Sequence, residues 1–199
     1  MQDCKELMDR RGGLLRLGGL LAVATGAGGS QAAPAAPEDE GFDEDSILKA
    51  ATDFFGNSTE GLARVIEKAF KEQGRPNAFI KGEEVGAALT VGLRYGEGGL
   101  QMKSGSGLSV YWAGPSIGFD AGVNASKVFT LVYHLPKPAA IYQRFPGVDG
   151  SLYYVGGAGI NYQRLKGITL APIRLGVGLR AGASVGYVHY RSKKSINPF

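Results

Sequence analysis

From Ile173 to Tyr187 the chain alternates almost without error. Ile173, Leu175, Val177, Leu179, Ala181, Ala183, Val185 and Tyr187 are apolar, with Arg174, Gly176, Gly178, Arg180, Gly182, Ser184 and Gly186 between them. A period of two marks a β-strand with one buried face. A half-exposed strand ordinarily carries Thr, Lys or Glu on its second face, because Gly weakens a strand through backbone entropy and a missing side chain. Repeated glycine therefore predicts a backbone that coils tightly or lies close against something, as in a small closed β-structure. At ~3.3 Å per residue the run would reach roughly 50 Å, long for a globular strand, so it bends at its glycines or forms two strands.

The pattern recurs over 85–95, where Glu84, Gly86, Ala88, Thr90, Gly92 and Arg94 take the second parity, and over 117–123, with Gly118, Asp120 and Gly122 between apolar residues. Strands are predicted near 77–81, 84–95, 98–103, 108–113, 115–123, 126–134, 150–164 and 168–190. Turns are expected at Gly96-Glu97-Gly98-Gly99 and Ser104-Gly105-Ser106-Gly107. A short helix is predicted over 138–145. Ahead of the strands, Ser46 can cap a helix carrying Ile47, Ala50, Ala51, Phe54 and Phe55. Ser58 can cap a second helix, in which Leu62, Val65, Ile66, Ala69 and Phe70 form one apolar stripe. The fold class is mainly β: a small antiparallel β-barrel or strongly coiled sheet over 74–199, with a helical segment, 46–73, docked on it. The apolar face of 173–187 is assigned inward. The glycine face, with Arg174 and Arg180, is then the outer or helix-covered side.

Residues 1–35 read as a cleavable export signal. Arg10, Arg11 and Arg16 precede an apolar stretch, Leu14 to Val23, and then a small-residue zone around Ser30 to Ala35. The stretch is too short and glycine-rich for an ordinary transmembrane helix. The route, twin-arginine or general secretory, stays open. Residues 36–45 form an acidic linker with little to bury. The one cysteine, Cys4, lies in the signal, so the exported chain would have no disulfide and no cysteine metal site.

Charge is unevenly placed. Residues 36–73 hold ten acids against four bases, a net of −6, whereas 74–199 hold five acids against fourteen bases, a net of +9. A basic domain favours anionic surfaces such as lipid headgroups or lipopolysaccharide, although the acidic arm can also neutralise it within the molecule.

The chemistry of a catalyst is hard to assemble. His134 and His189 lack partners at metal-ligand or triad spacing and read as structural. Gly176-Val177-Gly178-Leu179-Arg180-Ala181 matches a loose dinucleotide fingerprint, but the strand alternation runs straight through where a helix must begin. Gly156-Gly157-Ala158-Gly159 reads as a bend or close backbone approach. Glu83 and Glu84 are adjacent, so on a strand they point to opposite faces. Asp120, on the glycine side, is a candidate partner for Arg174 or Arg180. No enzyme, cofactor or metal is expected. The dispersed tyrosines interleaved with Lys and Arg resemble a single-strand nucleic-acid surface, a ligand foreign to an exported protein; no nucleic-acid partner is expected.

The stretches GPSIGFDAGVNASKVFTLVYHLP (114–136), YQRFPGVDGSLYYVGGAGINYQR (142–164) and APIRLGVGLRAGASVGY (171–187) resemble the envelope integrity protein A family, and QGRPNAFIKGEE (73–84) and the closing Asn197-Pro198-Phe199 fit as well. The resemblance covers 50–199. It implies a periplasmic small β-barrel associated with envelope stress resistance, and carries over no catalytic residues. The family is in turn similar to SYLF-type lipid-binding domains, sharing a Gly-Pro-x-x-Gly turn and glycine-rich strands, which implies lipid binding by analogy of fold.

The expected function is thus a non-enzymatic, monomeric periplasmic protein that meets anionic lipid, lipopolysaccharide or other envelope proteins. Arg94, Arg174, Arg180 and Asp120 are its candidate ligand-binding residues. Two alternatives remain. An integral outer-membrane barrel also alternates and ends in Phe, but here Arg191, Lys193, Ser195 and Asn197 would face lipid. An enzyme with an unusual site would need Asp120 or His134 to converge with other polar groups.

Overall fold

The structure, a computed structural model, describes residues 41–88, 91–117, 122–176 and 186–195. The stretch read as an export signal, and most of that read as an acidic linker, lie outside these residues. Helix α1, Glu44–Phe55, begins inside the stretch read as linker. Asp43 rather than Ser46 caps it, its carboxylate accepting from the Ser46 amide at 2.8 Å. Helix α2, Glu60–Gln73, is capped by Thr59, one residue later than expected, with Oγ1 accepting from the Leu62 amide at 3.1 Å. In both cases the side chain that reaches the orphan amide two or three residues into the helix decides the cap. Lys71 pairs with Glu67 at 2.6 Å on the polar face of α2.

Among the described residues ten strands form one antiparallel sheet: β1 Ala78–Ala88, β2 Val91–Met102, β3 Gly107–Ile117, β4 Gly122–Tyr133, β5 Arg144–Pro146, β6 Tyr153–Val155, β7 Ala158–Ile160, β8 Gln163–Leu165, β9 Ile168–Leu175 and β10 Tyr187–Arg191. Their order is β5-β10-β3-β2-β1-β4-β9-β7-β6, with β8 also on β9. The sheet curls until its ends touch. Gly147 bridges Gln163, and the Val148 amide donates to the Tyr162 carbonyl at 2.9 Å. Pro138–Ile141 is a single 3₁₀ turn, and the chain re-enters the sheet at Arg144, so the helix predicted to Phe145 is shorter than read.

Two predicted turns and strands need correction. The run 84–95 is not one strand but the ends of β1 and β2. Their cross-strand partners, such as Val85 with Tyr95 and Gly86 with Arg94, share parity, so one alternation runs through both strands. Conversely, Gly96-Glu97-Gly98-Gly99 is no turn. All four lie within β2 and pair with β1 and β3. Ser104-Gly105-Ser106-Gly107 is the real hairpin, closed by the Met102 amide on the Ser106 carbonyl at 2.8 Å, with Gly105 at φ 86°. Similarly 115–123 is the end of β3 and the start of β4, which are not neighbours in the sheet. The run 173–187 supplies β9 and β10, which pair with different strands, and 177–185 lies outside the described residues.

Two buried clusters share the sheet. On its outer face, Phe129, Leu131, Tyr133, Ala171 and Ile173 pack with Ile47, Leu62, Val65, Ile66 and Ala69 of the helices. At the close approach of α2 to the β6–β7 turn, a side chain on Gly61 would strike the Val155 carbonyl at 2.5 Å. Inside the curl, Ile80, Leu100, Val110, Trp112, Val128, Leu170, Phe145 and Tyr190 fill the core. This inverts the expected facing. The apolar parity of β9 (Ala171, Ile173) lies outward under the helices, and Arg174 points inward.

Candidate functional site

The inward parity of β1 and β2 carries Gly82, Glu84 and Gly86 opposite Gly98, Gly96 and Arg94. The glycines have a use. A methyl on Gly82 would meet the Trp112 ring at 2.5 Å, and one on Gly96 would fall within the same indole. With no side chain at Gly82 or Gly96, the Trp112 ring packs close against their backbone and points its ring nitrogen at Glu84. The bond from Nε1 to Oε2 is 3.0 Å long.

Glu84 gathers the interior charges. It is 8% exposed, and Arg94 and Arg174 are 3% and 5% exposed. Arg174 engages it with Nε at 3.3 Å and Nη2 at 3.2 Å, and donates from Nη1 to the Asn161 amide oxygen at 3.4 Å. Arg94 approaches through Nη1 at 3.8 Å. Burial alone would raise the Glu84 pKa. Arg174 and Arg94, with the hydrogen bonds from Arg174 and Trp112, instead hold it down at about 2. Burial lowers the pKa of Arg94 and raises that of the Tyr190 phenol in the same core.

A depressed carboxylate stabilises the fold above its unfolded pKa and ceases to do so as pH falls through its folded one. Glu84 is therefore expected to contribute fully above the ordinary glutamate value of 4.5 and to lose its contribution between there and about pH 2. Acid unfolding followed by the emission of Trp112, the single tryptophan, should steepen across that window. A stability flat down to pH 2 would contradict this.

Sequence reading brought Arg94 and Arg174 to one face, and the structure brings them to one carboxylate. Their partner is Glu84. Asp120 and Arg180 lie outside the described residues. Glu84 was legible only as one of two adjacent acids on opposite faces; its shared parity with Gly86 and Arg94 is the signal that groups it with them. Trp112 gave no such signal. His189 accepts from Arg191 Nε at 3.1 Å on its Nδ1, and burial with Arg191 and Arg144 lowers its pKa. His134 sits exposed at φ 57° just past β4.

A second feature lies on the outer face. Across β10, β3, β2 and β1, the register aligns His189, Ala113, Tyr95 and Val85 in one row and Arg191, Tyr111, Glu97 and Glu83 in the next. The helices do not reach this part. Val85 is 43% exposed and Leu93 36%. A groove of about 410 Å³ runs here, lined by Val85, Tyr95, Tyr111 and Ala113, by the bases Arg191, Lys193 and Lys194, and by the acids Glu83 and Glu97. Lys194 pairs with Glu97 at 3.1 Å.

These features define a small barrel-like β-domain with a filled, charge-bearing interior and a helical pair on one flank. Among the described residues no helix is long and apolar enough to cross a membrane, which says nothing of strands. The chain belongs to the envelope integrity protein A family, whose model matches residues 40–199. It is also similar to a beta-barrel-like, uncharacterized protein from Brucella abortus, at 39% identity and a TM-score of 0.74, over 80% of this chain and 99% of that one. No curated protein matches it. The family read from 114–136, 142–164 and 171–187 is therefore the right one, and its name ties the protein to envelope integrity.

Proposed function

We propose that this is a non-catalytic periplasmic protein that supports envelope integrity by binding anionic, acylated lipid on the outer face of β10, β3, β2 and β1. The groove beside Val85 and Tyr95 carries this reading. Its lining offers apolar and aromatic surface to a chain, and Arg191, Lys193 and Lys194 set against Glu83 and Glu97 leave a net positive charge for a phosphate. The interior supports the same choice. It is filled by side chains and three buried charges, so a ligand is better met at the surface. The apolar band of β4 and β9 lies under α1 and α2, an arrangement unlike the lipid-facing wall of an outer-membrane barrel.

Two measurements test it. Osmotic shock is expected to release the protein without detergent; retention in the outer membrane would point to the spanning barrel instead. Purified protein should co-sediment with phosphatidylglycerol vesicles, less with phosphatidylcholine, and less again in high salt. Lipopolysaccharide in a parallel arm separates the two envelope sources. A Lys193→Glu/Lys194→Glu double variant should bind at least tenfold more weakly, at about 1 kcal/mol for each basic residue lost near the surface. Equal retention on neutral and anionic vesicles would sink the proposal.

A further inference from the structure

The two rows that cross the outer groove both end in bases. Arg144 of β5 stands across from His189 of β10, and His189 across from Ala113 of β3. Tyr187 and Arg191 flank His189 on the same face of β10. Arg191 donates from Nε to His189 Nδ1 at 3.1 Å, and its Nη2 lies 3.0 Å from the same nitrogen. Arg144 lies over the Tyr187 ring, its Cζ 4.6 Å from the centroid. Two guanidinium groups thus bracket one imidazole. Cross-strand Cβ atoms on one face are ~4.5–5.5 Å apart, so one small ligand can touch all three heads.

The titratable and charged groups facing His189 are Tyr187 and Arg191 on β10, Arg144 on β5 and, diagonally, Tyr111 on β3. Lys193 and Lys194 follow along the groove. In the row of Arg191 the acids come later: Glu97 on β2 and Glu83 on β1, beyond Tyr111. An accepting Nδ1 belongs to a neutral imidazole with its proton on Nε2. Burial, then Arg191 and Arg144, holds the His189 pKa below the ordinary histidine range. A proton on Nδ1 would break the bond from Arg191 and set a third cation between two others. An oxyanion reverses both effects, since its oxygens accept from Nδ1–H, from the Arg191 fork and from Arg144. Anion and proton then enter together, each strengthening the other.

We propose that Arg144, His189 and Arg191 form a binding site for a tetrahedral oxyanion, a phosphate or sulfate group, taken up together with one proton on His189. The site adjoins the groove assigned to lipid and does not depend on that reading. A lipid headgroup in the groove and a free inorganic anion present the same chemistry to it.

The first probe is sodium sulfate, which does not itself titrate near neutrality, set against gluconate at equal ionic strength. Full-length His134→Asn protein leaves one imidazole to follow by NMR. Saturating sulfate should move the His189 titration to higher pH, and by the same linkage sulfate should bind about tenfold more tightly in mild acid than in mild alkali. His189→Asn keeps an acceptor for Arg191 but takes up no proton, so its affinity should stay at the weak level at every pH. Arg144→Gln should weaken binding in acid about tenfold, as for one charged hydrogen bond lost. Both positions are half-buried or exposed, so the variants should fold. A His189 titration indifferent to sulfate, or a pH dependence that survives in His189→Asn, overturns the proposal. Inorganic phosphate and phosphatidic acid vesicles, in parallel arms, separate the sources. Vesicle retention that rises in acid in the parent but not in His189→Asn places a headgroup at the site. Retention indifferent to His189, beside an intact response to sulfate and phosphate, assigns the site to a free anion. No vesicle retention at any pH refutes the lipid reading of the groove, while the sulfate response still decides this one.

Discussion

Glu84→Gln is expected to destabilise the fold by about 3–5 kcal/mol, the range for removing one partner of a buried ion pair. Glutamine keeps the shape and can still accept from Trp112. It cannot hold a charge between Arg94 and Arg174, which lie at 3.8 and 3.2 Å. Both guanidinium groups would then be buried without the Glu84 counter-charge. A domain of this size is stable by only about 5–15 kcal/mol, so the variant should unfold at markedly lower urea. The loss belongs to the broken cluster, not to a favourable net worth of the salt bridge. Replacing all three residues by methionine should therefore recover much of it. A loss below about 1 kcal/mol in urea titrations followed by Trp112 emission would mean that water reaches the cluster and screens it.

Gly96→Ala should follow in size, at about 1–3 kcal/mol, the usual cost of overpacking a filled core. The added methyl falls within the Trp112 ring, and the ring has little freedom to yield. It is held by its bond to Glu84 on one side and packed against Tyr190 at 5.9 Å on another. Any displacement lengthens the bond to Glu84, so near-ultraviolet circular dichroism should change with stability. Gly86→Ala is the matched control. It sits on the same inward face with no described atom within 4 Å, so it should be neutral or stabilise by up to about 1 kcal/mol, as alanine does for glycine within a strand. Similar losses in both variants would show that backbone entropy, not the indole, sets the need for glycine here.

The contrast between those two glycines shows where sequence reading stops. Glycine at every second position announced that something lies close to the backbone. At Gly82 and Gly96 that something is one indole, twenty-eight residues from its acceptor Glu84 in the chain. Tryptophan at 112 looks like any other aromatic in a strand until β1, β2 and β3 are laid side by side. The groove was illegible for the same reason. Val85, Tyr95, Ala113 and Arg191 become neighbours only through three antiparallel registers.

By itself the sequence determined the family, the β character of 74–199, the helical stripe of Leu62, Val65, Ile66 and Ala69, and the sharing of one strand parity by Arg94, Arg174 and glycine. Each of these is a local periodicity or a wording, and local physics is enough to read it. Tertiary structure decided which parity faces in. A period of two states that the faces differ and is silent on what covers each. On β9 the answer came from α1 and α2, which bury Ala171 and Ile173 from outside and so turn Arg174 toward Glu84. Low-dielectric burial then makes that encounter matter: an exposed pair is worth little, whereas a pair sealed in the core constrains three strands at once.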